Sequence, residues 1–311
     1  MISIIIPLYN RPEELEELLH SLTTQTKPHE AIEVIVVEDG STITAEQVVR
    51  QYSTAPFALR YLTQKNGGPS SARNTGARQA EGEWLLFLDS DTILPPEYLS
   101  AVTRAIRSTE ADLWGGPDRG HDTFTPIQKA ISYSMTAFLT TGGIRGGQKE
   151  TVDRFYPRTF NMGVRKSVFD QLGGFDTSMR YGEDLDFSMR VIESGHTSAL
   201  YPDCWLYHKR RSTFAAFFSQ VRHSGRARWT LRAKHPGTLK VVHALPSLFV
   251  LGCLGSLAVG LVQLPLLYAL LILGDALLKG YTPRESVYCV VAAFVQHFGY
   301  GIGFIEEPFR K

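Results

Sequence analysis

The sequence predicts an α/β fold on a mainly parallel sheet, followed by C-terminal helices of membrane-spanning character. Three observations carry this expectation. Short, nearly continuous apolar runs at residues 2–6, 32–37 and 84–88 alternate with segments of helical periodicity. Strands apolar on both faces are those of a parallel sheet covered by helices. The second and third runs lead into carboxylates, at Asp39 and at Asp89-Ser90-Asp91. From Val241 to Gly274 there are 34 residues without Asp, Glu, Lys or Arg, where about 20 suffice for one membrane span.

Taken in order, residues 2–6 form the first strand. This N-terminus lacks a basic n-region and a long h-region, so it does not read as a signal peptide. Asn10 is placed to cap a helix that starts with Arg11-Pro12, proline being favoured at the first helical position. Leu15, Leu18, Leu19 and Leu22 recur at helical spacing, with Glu13, Glu14, Glu16 and Glu17 near the positive end of the helix. Residues 32–37 make a second strand running into Asp39. A helix follows at 45–52 and a strand at 59–63. Asn66-Gly67-Gly68-Pro69 is a turn, from which Pro69 opens a helix to residue 80. The strand at 84–88 runs into Asp89, and Pro95-Pro96 opens a helix to about residue 107. Residues 115–155 are rich in glycine and polar groups, including Gly142-Gly143-Ile144-Arg145-Gly146-Gly147. That stretch reads as a lid that excludes water or as an ordinary surface loop. Residues 160–164 are strand-like. Gly182-Glu183-Asp184 begins a helix whose Leu185, Met189 and Val191 or Ile192 face inward. Residues 201–207 are strand-like ahead of His208.

Three regions follow: an α/β domain at 1–212, a basic interfacial helix at 213–240 and a hydrophobic region at 241–311. Phe214, Phe217, Phe218 and Val221, interleaved with Arg222, Arg226 and Arg228, suggest that the middle region lies at a bilayer surface. The last region has three apolar segments, 241–259, 261–278 and 286–305. Pro246, Gly252, Gly255, Gly260 and Pro265 offer break points before Lys279, so two tight spans and one span plus a re-entrant segment both fit. Buried core helices would normally show a polar stripe, which is almost absent here. The basic cluster from Arg222 to Lys240 marks the cytoplasmic side. The expected protein is multi-pass in the cytoplasmic membrane with its N-terminal domain in the cytoplasm. A net charge of +1 gives no field for nucleic acid. Cys204, Cys253 and Cys289 form no CxxC, so neither a disulfide framework nor a zinc site is indicated.

The chemistry concentrates in the acids. Asp39 at a strand end suits acceptance of hydrogen bonds from a uracil or guanine edge or from ribose, and equally suits a turn Asp capping the next helix. In Asp89-Ser90-Asp91, alternate residues point the same way. Both carboxylates then approach one Mn²⁺ or Mg²⁺ ion, which would neutralise the diphosphate of a sugar nucleotide. Asp184 is the candidate general base for an acceptor hydroxyl, with Glu183 and Asp186 orienting it or the acceptor. Acids are also favoured there by the helix dipole alone. His208 is placed to complete a metal's coordination beside Asp91. Gln220 and Arg226 are candidate contacts for the diphosphate of a donor or a lipid-linked acceptor; attraction to anionic lipid head groups explains the same basic residues.

These motifs in this order resemble family 2 glycosyltransferases of the GT-A fold. The resemblance covers about residues 2–235. It rests on Ile4-Ile5-Ile6-Pro7-Leu8-Tyr9-Asn10, Val36-Val37-Glu38-Asp39-Gly40-Ser41, Asn66-Gly67-Gly68-Pro69 with Ala72-Arg73-Asn74-Thr75-Gly76, Leu86-Phe87-Leu88-Asp89-Ser90-Asp91, Gly173-Gly174-Phe175-Asp176 and Gly182-Glu183-Asp184-Leu185-Asp186. It implies an inverting transferase that uses a nucleoside-diphosphate sugar of UDP or GDP type and a divalent metal. By that resemblance Asp39 binds the nucleotide, Asp91 the metal, and Asp184 takes the acceptor proton. Pro7, Tyr9 and Arg73, with Asp89, would line the nucleotide-sugar pocket, and Asn161 would lie near the sugar. The C-terminal region looks like that of membrane-associated members that extend exopolysaccharide (succinoglycan-type) units on a polyprenyl carrier. The chain has no contiguous Gln-x-x-Arg-Trp and few spans, which points to one sugar per encounter. Rival readings are a polyprenyl-phosphate sugar synthase and a non-catalytic membrane adaptor on the same fold. A Rossmann dinucleotide enzyme is disfavoured, since no G-x-G-x-x-G follows the first strand.

Overall fold

The computed structural model describes residues 1–26, 30–108, 111–121, 123–142 and 155–309. In chain order its elements are β1 (Ile2–Leu8), α1 (Pro12–Thr23), β2 (Ile32–Asp39), α2 (Glu46–Gln51), β3 (Ala58–Gln64), α3 (Pro69–Gln79), β4 (Trp84–Leu88), β5 (Thr92–Ile93), α4 (Tyr98–Ser108), β6 (Leu113–Gly115) and β7 (Asp118–Arg119). There follow α5 (Pro126–Thr136), α6 (Phe138–Thr141), β8 (Asn161–Arg165), α7 (Lys166–Gln171), α8 (Glu183–Glu193), β9 (Ser198–Leu200), β10 (Leu206–His208), α9 (Phe214–Lys234), α10 (Leu245–Ala258), α11 (Gln263–Leu278) and α12 (Pro283–Glu306). The chain divides into two compact units, residues 1–119 with 148–208, and residues 120–147 with 209–311.

The first unit is built on a seven-stranded sheet of order β3-β2-β1-β4-β8-β6-β9. The strands β1 to β4 are parallel, while β8 runs antiparallel to both β4 and β6. Side chains alternate between two buried faces, as the continuous apolar runs require. Ile4, Ile6, Val34, Val36, Leu86 and Leu88 pack with Leu15, Leu18, Leu19 and Leu22 of α1. Ile5, Ile35, Val37, Leu85 and Phe87 pack on the other face with Ala72 of α3 and Phe187 and Val191 of α8. Phe87, Phe169, Phe175 and Phe187 form an aromatic cluster with centroids 4.9 to 5.4 Å apart, and this seats α8. A small second sheet, β5-β10-β7, pairs Thr92 with His208 and Leu206 with Asp118. It brings the residue after Asp91 beside His208. Close backbone approach fixes one glycine here: a Cβ on Gly116 would lie 1.7 Å from the Cys204 carbonyl oxygen.

Two local expectations are changed. Asn10 does not cap α1, whose N-cap residue, Arg11, makes no capping side-chain bond. Its Oδ1 instead accepts from the Thr42 and Ile43 amides at 2.8 and 3.0 Å, so it ties down the loop after β2. Part of the glycine-rich stretch is helical. Thr125 and Gln128 form a capping box, Pro126 occupies the first turn, and α5 and α6 follow. The Gly143–Gly147 portion of the expected lid lies outside the described residues.

In the second unit α12 packs against α9, α5 and α10. Glycines let the backbones approach closely: a Cβ on Gly303 would meet the Arg222 carbonyl oxygen at 2.0 Å, and one on Gly301 the Pro246 carbonyl oxygen at 2.6 Å. Ion pairs hold both ends of α12. Lys129 lies 3.3 Å from Glu285, and Arg222 and Arg226 both pair with Glu306. Two helical segments, Val241–Ala258 and Pro283–Phe309, are long and apolar enough to cross a membrane by length and composition; α11 is shorter, at 16 residues.

Candidate active site

The carboxyl ends of β2 and β4 and the start of α8 carry the acids. In open α/β sheets this rim is where ligands bind. Asp39 ends β2 and is almost fully buried, 4% exposed. Its Oδ1 accepts from the Gly67 amide at 2.9 Å and from Gln64 Nε2 at 2.6 Å, and its Oδ2 accepts from the Gly68 amide at 2.8 Å. Asp39 thus organises the turn that starts α3. A carboxylate offers about four acceptor sites, so three bonds leave capacity for a further donor. Pro7 lies in β1 opposite Val37, and Tyr9 just beyond β1 is half exposed.

The structure brings Asp89, Asp91 and His208 together. They offer ligand atoms within 4.8 Å of one another. His208 Nε2 lies 3.2 Å from Asp91 Oδ1, its ring stacks on Phe160 at 4.7 Å, and Asp118 Oδ2 lies 3.7 Å from its Nδ1. Arg11 Nη1 donates to Asp91 Oδ2 at 3.1 Å and to Glu14 at 2.7 Å. Two carboxylates and one imidazole make a donor set that fits a divalent cation of the Mn²⁺ type.

Arg73 joins this cluster to the acids of α8. Its guanidinium is 4% exposed; Nη2 donates to Asp89 Oδ1 at 2.6 Å and Nη1 to Glu183 Oε1 at 3.2 Å. Burial, then the neighbouring charge of Asp184, push the Glu183 carboxyl above the ordinary glutamate value, and Arg73 opposes the shift. Asp184 accepts from Arg158 Nε at 2.6 Å and from the Leu185 amide at 2.8 Å. Asp186 is fully buried and accepts from Arg190 Nε at 2.9 Å, while Arg190 also donates to the Leu172 and Gly174 carbonyls. Asn161 is buried under the rim, accepting from Tyr98 at 2.6 Å and donating to the Cys204 carbonyl at 2.7 Å. Gln220 and Arg226 belong to the second unit, on α9, where Arg226 pairs with Glu306.

The sequence reading left out Arg11, Gln64, Asp118 and Arg158. Gln64 carried a usable signal, because the parallel register sets it directly opposite Asp39. The other three meet their partners, Asp91, His208 and Asp184, across 80, 90 and 26 positions of chain, and no local pattern marks such pairs.

The chain as a whole is similar to known proteins. Residues 3–173 match the family model described as glycosyl transferase family 2. The chain is 31% identical over 222 residues to the glycosyltransferase AglE of Haloferax volcanii, covering 68% of this chain and 67% of that one. It is 40% identical over 231 residues to the validoxylamine A glucosyltransferase of Streptomyces hygroscopicus subsp. limoneus, covering 66% of this chain and 51% of the relative. Among solved structures, the mannosyltransferase PcManGT from Pyrobaculum calidifontis, in complex with GDP-Man and Mn²⁺, superposes with a TM-score of 0.66 at 18% identity, covering 99% of this chain and 87% of that one. Staphylococcus aureus TarS 1-349 in complex with UDP-GlcNAc does so with a TM-score of 0.56 at 20% identity, covering 99% and 91%.

Proposed function

Since the chain belongs to glycosyl transferase family 2, with that family's GT-A fold, and is a glycosyltransferase, we propose that it moves one sugar, with inversion, from a nucleoside-diphosphate sugar to a polyprenyl-linked glycan acceptor at a membrane in polysaccharide biosynthesis. One observation carries the reading: Asp89, Asp91 and His208 converge at the sheet rim, and Arg73 links that cluster to Glu183, the neighbour of Asp184.

Asp91 and His208, with Asp89, are the residues that would hold Mn²⁺ or Mg²⁺. Bound there, the cation supplies charge neutralisation to the donor's diphosphate. Tyr9 and Pro7 offer a surface for the nucleotide base, and Asp39 accepts from the base or the ribose. Arg73 serves the nucleotide-sugar pocket by fixing Asp89. Asn161, committed at both ends of its amide, shapes the floor under the sugar. Asp184 receives the acceptor's proton, with Glu183 beside it and Asp186 holding α8 in place through Arg190. Solved neighbours bind GDP-Man in one case and UDP-GlcNAc in another, so both donor classes belong in the test. The apolar second unit supports a membrane-held acceptor, and the basic residues of α9, Arg226 among them, with Gln220 beside them, support a cytoplasmic face near an anionic lipid or lipid diphosphate.

The test is release of free nucleotide by protein purified in detergent, given UDP-, GDP- and dTDP-sugars with Mn²⁺, with and without a lipid extract. Turnover of none of them in either condition rejects the proposal. Asp184→Asn separates the nearest rival. A sugar hydroxyl needs a base, so kcat falls by about 100-fold or more; a lipid phosphate is already ionised, so retained activity identifies a polyprenyl-phosphate sugar synthase. A catalytically silent adaptor would show no turnover with any donor.

A further inference from the structure

The second unit holds 22 of the 26 exposed large hydrophobic side chains among the described residues, and 17 of these fall between Val241 and Leu278. Along α10, Leu245, Leu248, Leu251, Leu254 and Leu257 face outward, while Ser247, Val250, Cys253 and Ser256 face inward. The link from α10 to α11 is Val259-Gly260-Leu261-Val262, with side chains at least half exposed at 259, 261 and 262. A turn in water is normally built from Asn, Asp, Ser, Gly or Pro. This one has glycine and no polar side chain.

Three of its four amides are bonded within the hairpin. The amides of Val259, Gly260 and Leu261 donate to the carbonyls of Gly255, Leu257 and Ser256 at 3.2, 3.1 and 2.7 Å. Gly260 adopts φ 77° to make this closure. On the α11 side, Leu264 and Leu266 donate to Leu261 and Val262, and Pro265 has no amide hydrogen to satisfy. Such internal bonding is what hydrocarbon demands of a turn, since no water is present to take up loose donors. The opposite ends of the two helices are polar: Lys240 precedes α10, and Asp275 near the end of α11 accepts from Lys279 at 2.7 Å and Tyr133 at 2.5 Å.

Length and the character of the tip together bear on crossing or returning. At 1.5 Å per residue α11 with 16 residues is about 24 Å long, and α10 with 14 residues is about 21 Å, or about 29 Å with the helical turn Val241–Ala244 before it. A hydrocarbon core is about 30 Å thick. The α11 arm is too short to cross it, and an apolar tip is favoured inside the core. The helix α12 passes the same length and composition test, but glycines press it to α9 and α10 and ion pairs hold its ends. Resting on the membrane attachment proposed above, we infer that α10 and α11 form a re-entrant hairpin: Lys240 and Lys279 lie on one side of the bilayer, and Leu261 ends within its hydrocarbon.

Single cysteines at Lys240, Leu261 and Lys279, in the full chain, test this with a membrane-impermeant maleimide applied to spheroplasts and to inside-out vesicles of an expressing bacterium. The parent chain gives the background, since Cys204, Cys253 and Cys289 are buried. The expected result is that K240C and K279C react in inside-out vesicles only, and L261C reacts in neither preparation until detergent dissolves the membrane. Reaction of L261C in spheroplasts, or labelling of K240C and K279C from opposite sides, overturns the hairpin and leaves membrane attachment standing. Loss of the chain from the membrane pellet in a carbonate wash overturns the attachment itself. If L261C stays protected in detergent and the particle has twice the chain mass, a second copy covers the tip and the inference falls.

Discussion

Replacing Asp39 with Asn isolates the contribution of one carboxylate at nearly constant shape. Asp39 accepts three hydrogen bonds, two on Oδ1 and one on Oδ2. The Asn variant keeps an oxygen for two of those donors, now as neutral rather than charge-assisted bonds, and turns an N–H₂ toward the third. A charge-assisted bond contributes about 1.5–3 kcal/mol against about 1 for a neutral one, and an unsatisfied buried donor costs about 1–3. Gly67 is exposed and Gly68 half-buried, so water recovers part of the loss. The net cost is about 2 kcal/mol, well inside the usual folding margin of about 5–15. A unit of this size should then lose roughly 4–8 °C of Tm. The same change loosens the turn at the start of α3, so nucleotide affinity should drop with it. Thermal unfolding in detergent, paired with UDP and GDP titrations, reads both. A variant that melts within about 1 °C of the parent would refute the claim that Asp39 holds this turn.

Three further changes test other parts of the site. Asp91→Ala should reduce Mn²⁺-supported nucleotide release by about 100-fold, equivalent to about 2.7 kcal/mol of barrier, with little effect on Tm because the Arg11 pair is partly exposed and worth little; undiminished turnover would remove Asp91 from the metal cluster. Arg73→Met should cost about 3 kcal/mol in urea unfolding, less than a fully buried pair because Asp89 remains 30% exposed, and an unchanged midpoint would show that the bridge does not stabilise the unit. Gly116→Ala should prevent folded expression, because its Cβ would overlap main chain rather than a movable side chain; a normally folded product would contradict the close approach of the residue after β6 to Cys204.

Much of the first unit was legible because its strands are buried on both sides. Nearly continuous apolar runs at 2–6, 32–37 and 84–88 announce such strands, and the acids that follow the second and third mark the rim where Asp39, Asp89 and Asp91 stand. The antiparallel entry of β8 between β4 and β6 was not legible, because pairing partners far apart in sequence are selected by tertiary fit. The helix α5 was hidden by the glycine-rich composition around it, although Thr125-Pro126 with Gln128 is a readable start signal. At the site, residue types gave the acids but not their counter-charges. Arg11 on Asp91, Arg158 on Asp184 and the double commitment of Arg73 depend on loops and helices that meet only after folding. Asn161 illustrates the reverse: a residue expected beside the sugar has its amide engaged by Tyr98 and the Cys204 carbonyl.

The Arg73 guanidinium touches one acid beyond the end of β4 and one at the start of α8. Whatever draws Asp89 toward a newly arrived positive charge weakens its hold on Arg73 and leaves that arginine more fully to Glu183. On the function proposed above, a change of charge at the metal cluster is thereby felt at the acids of α8.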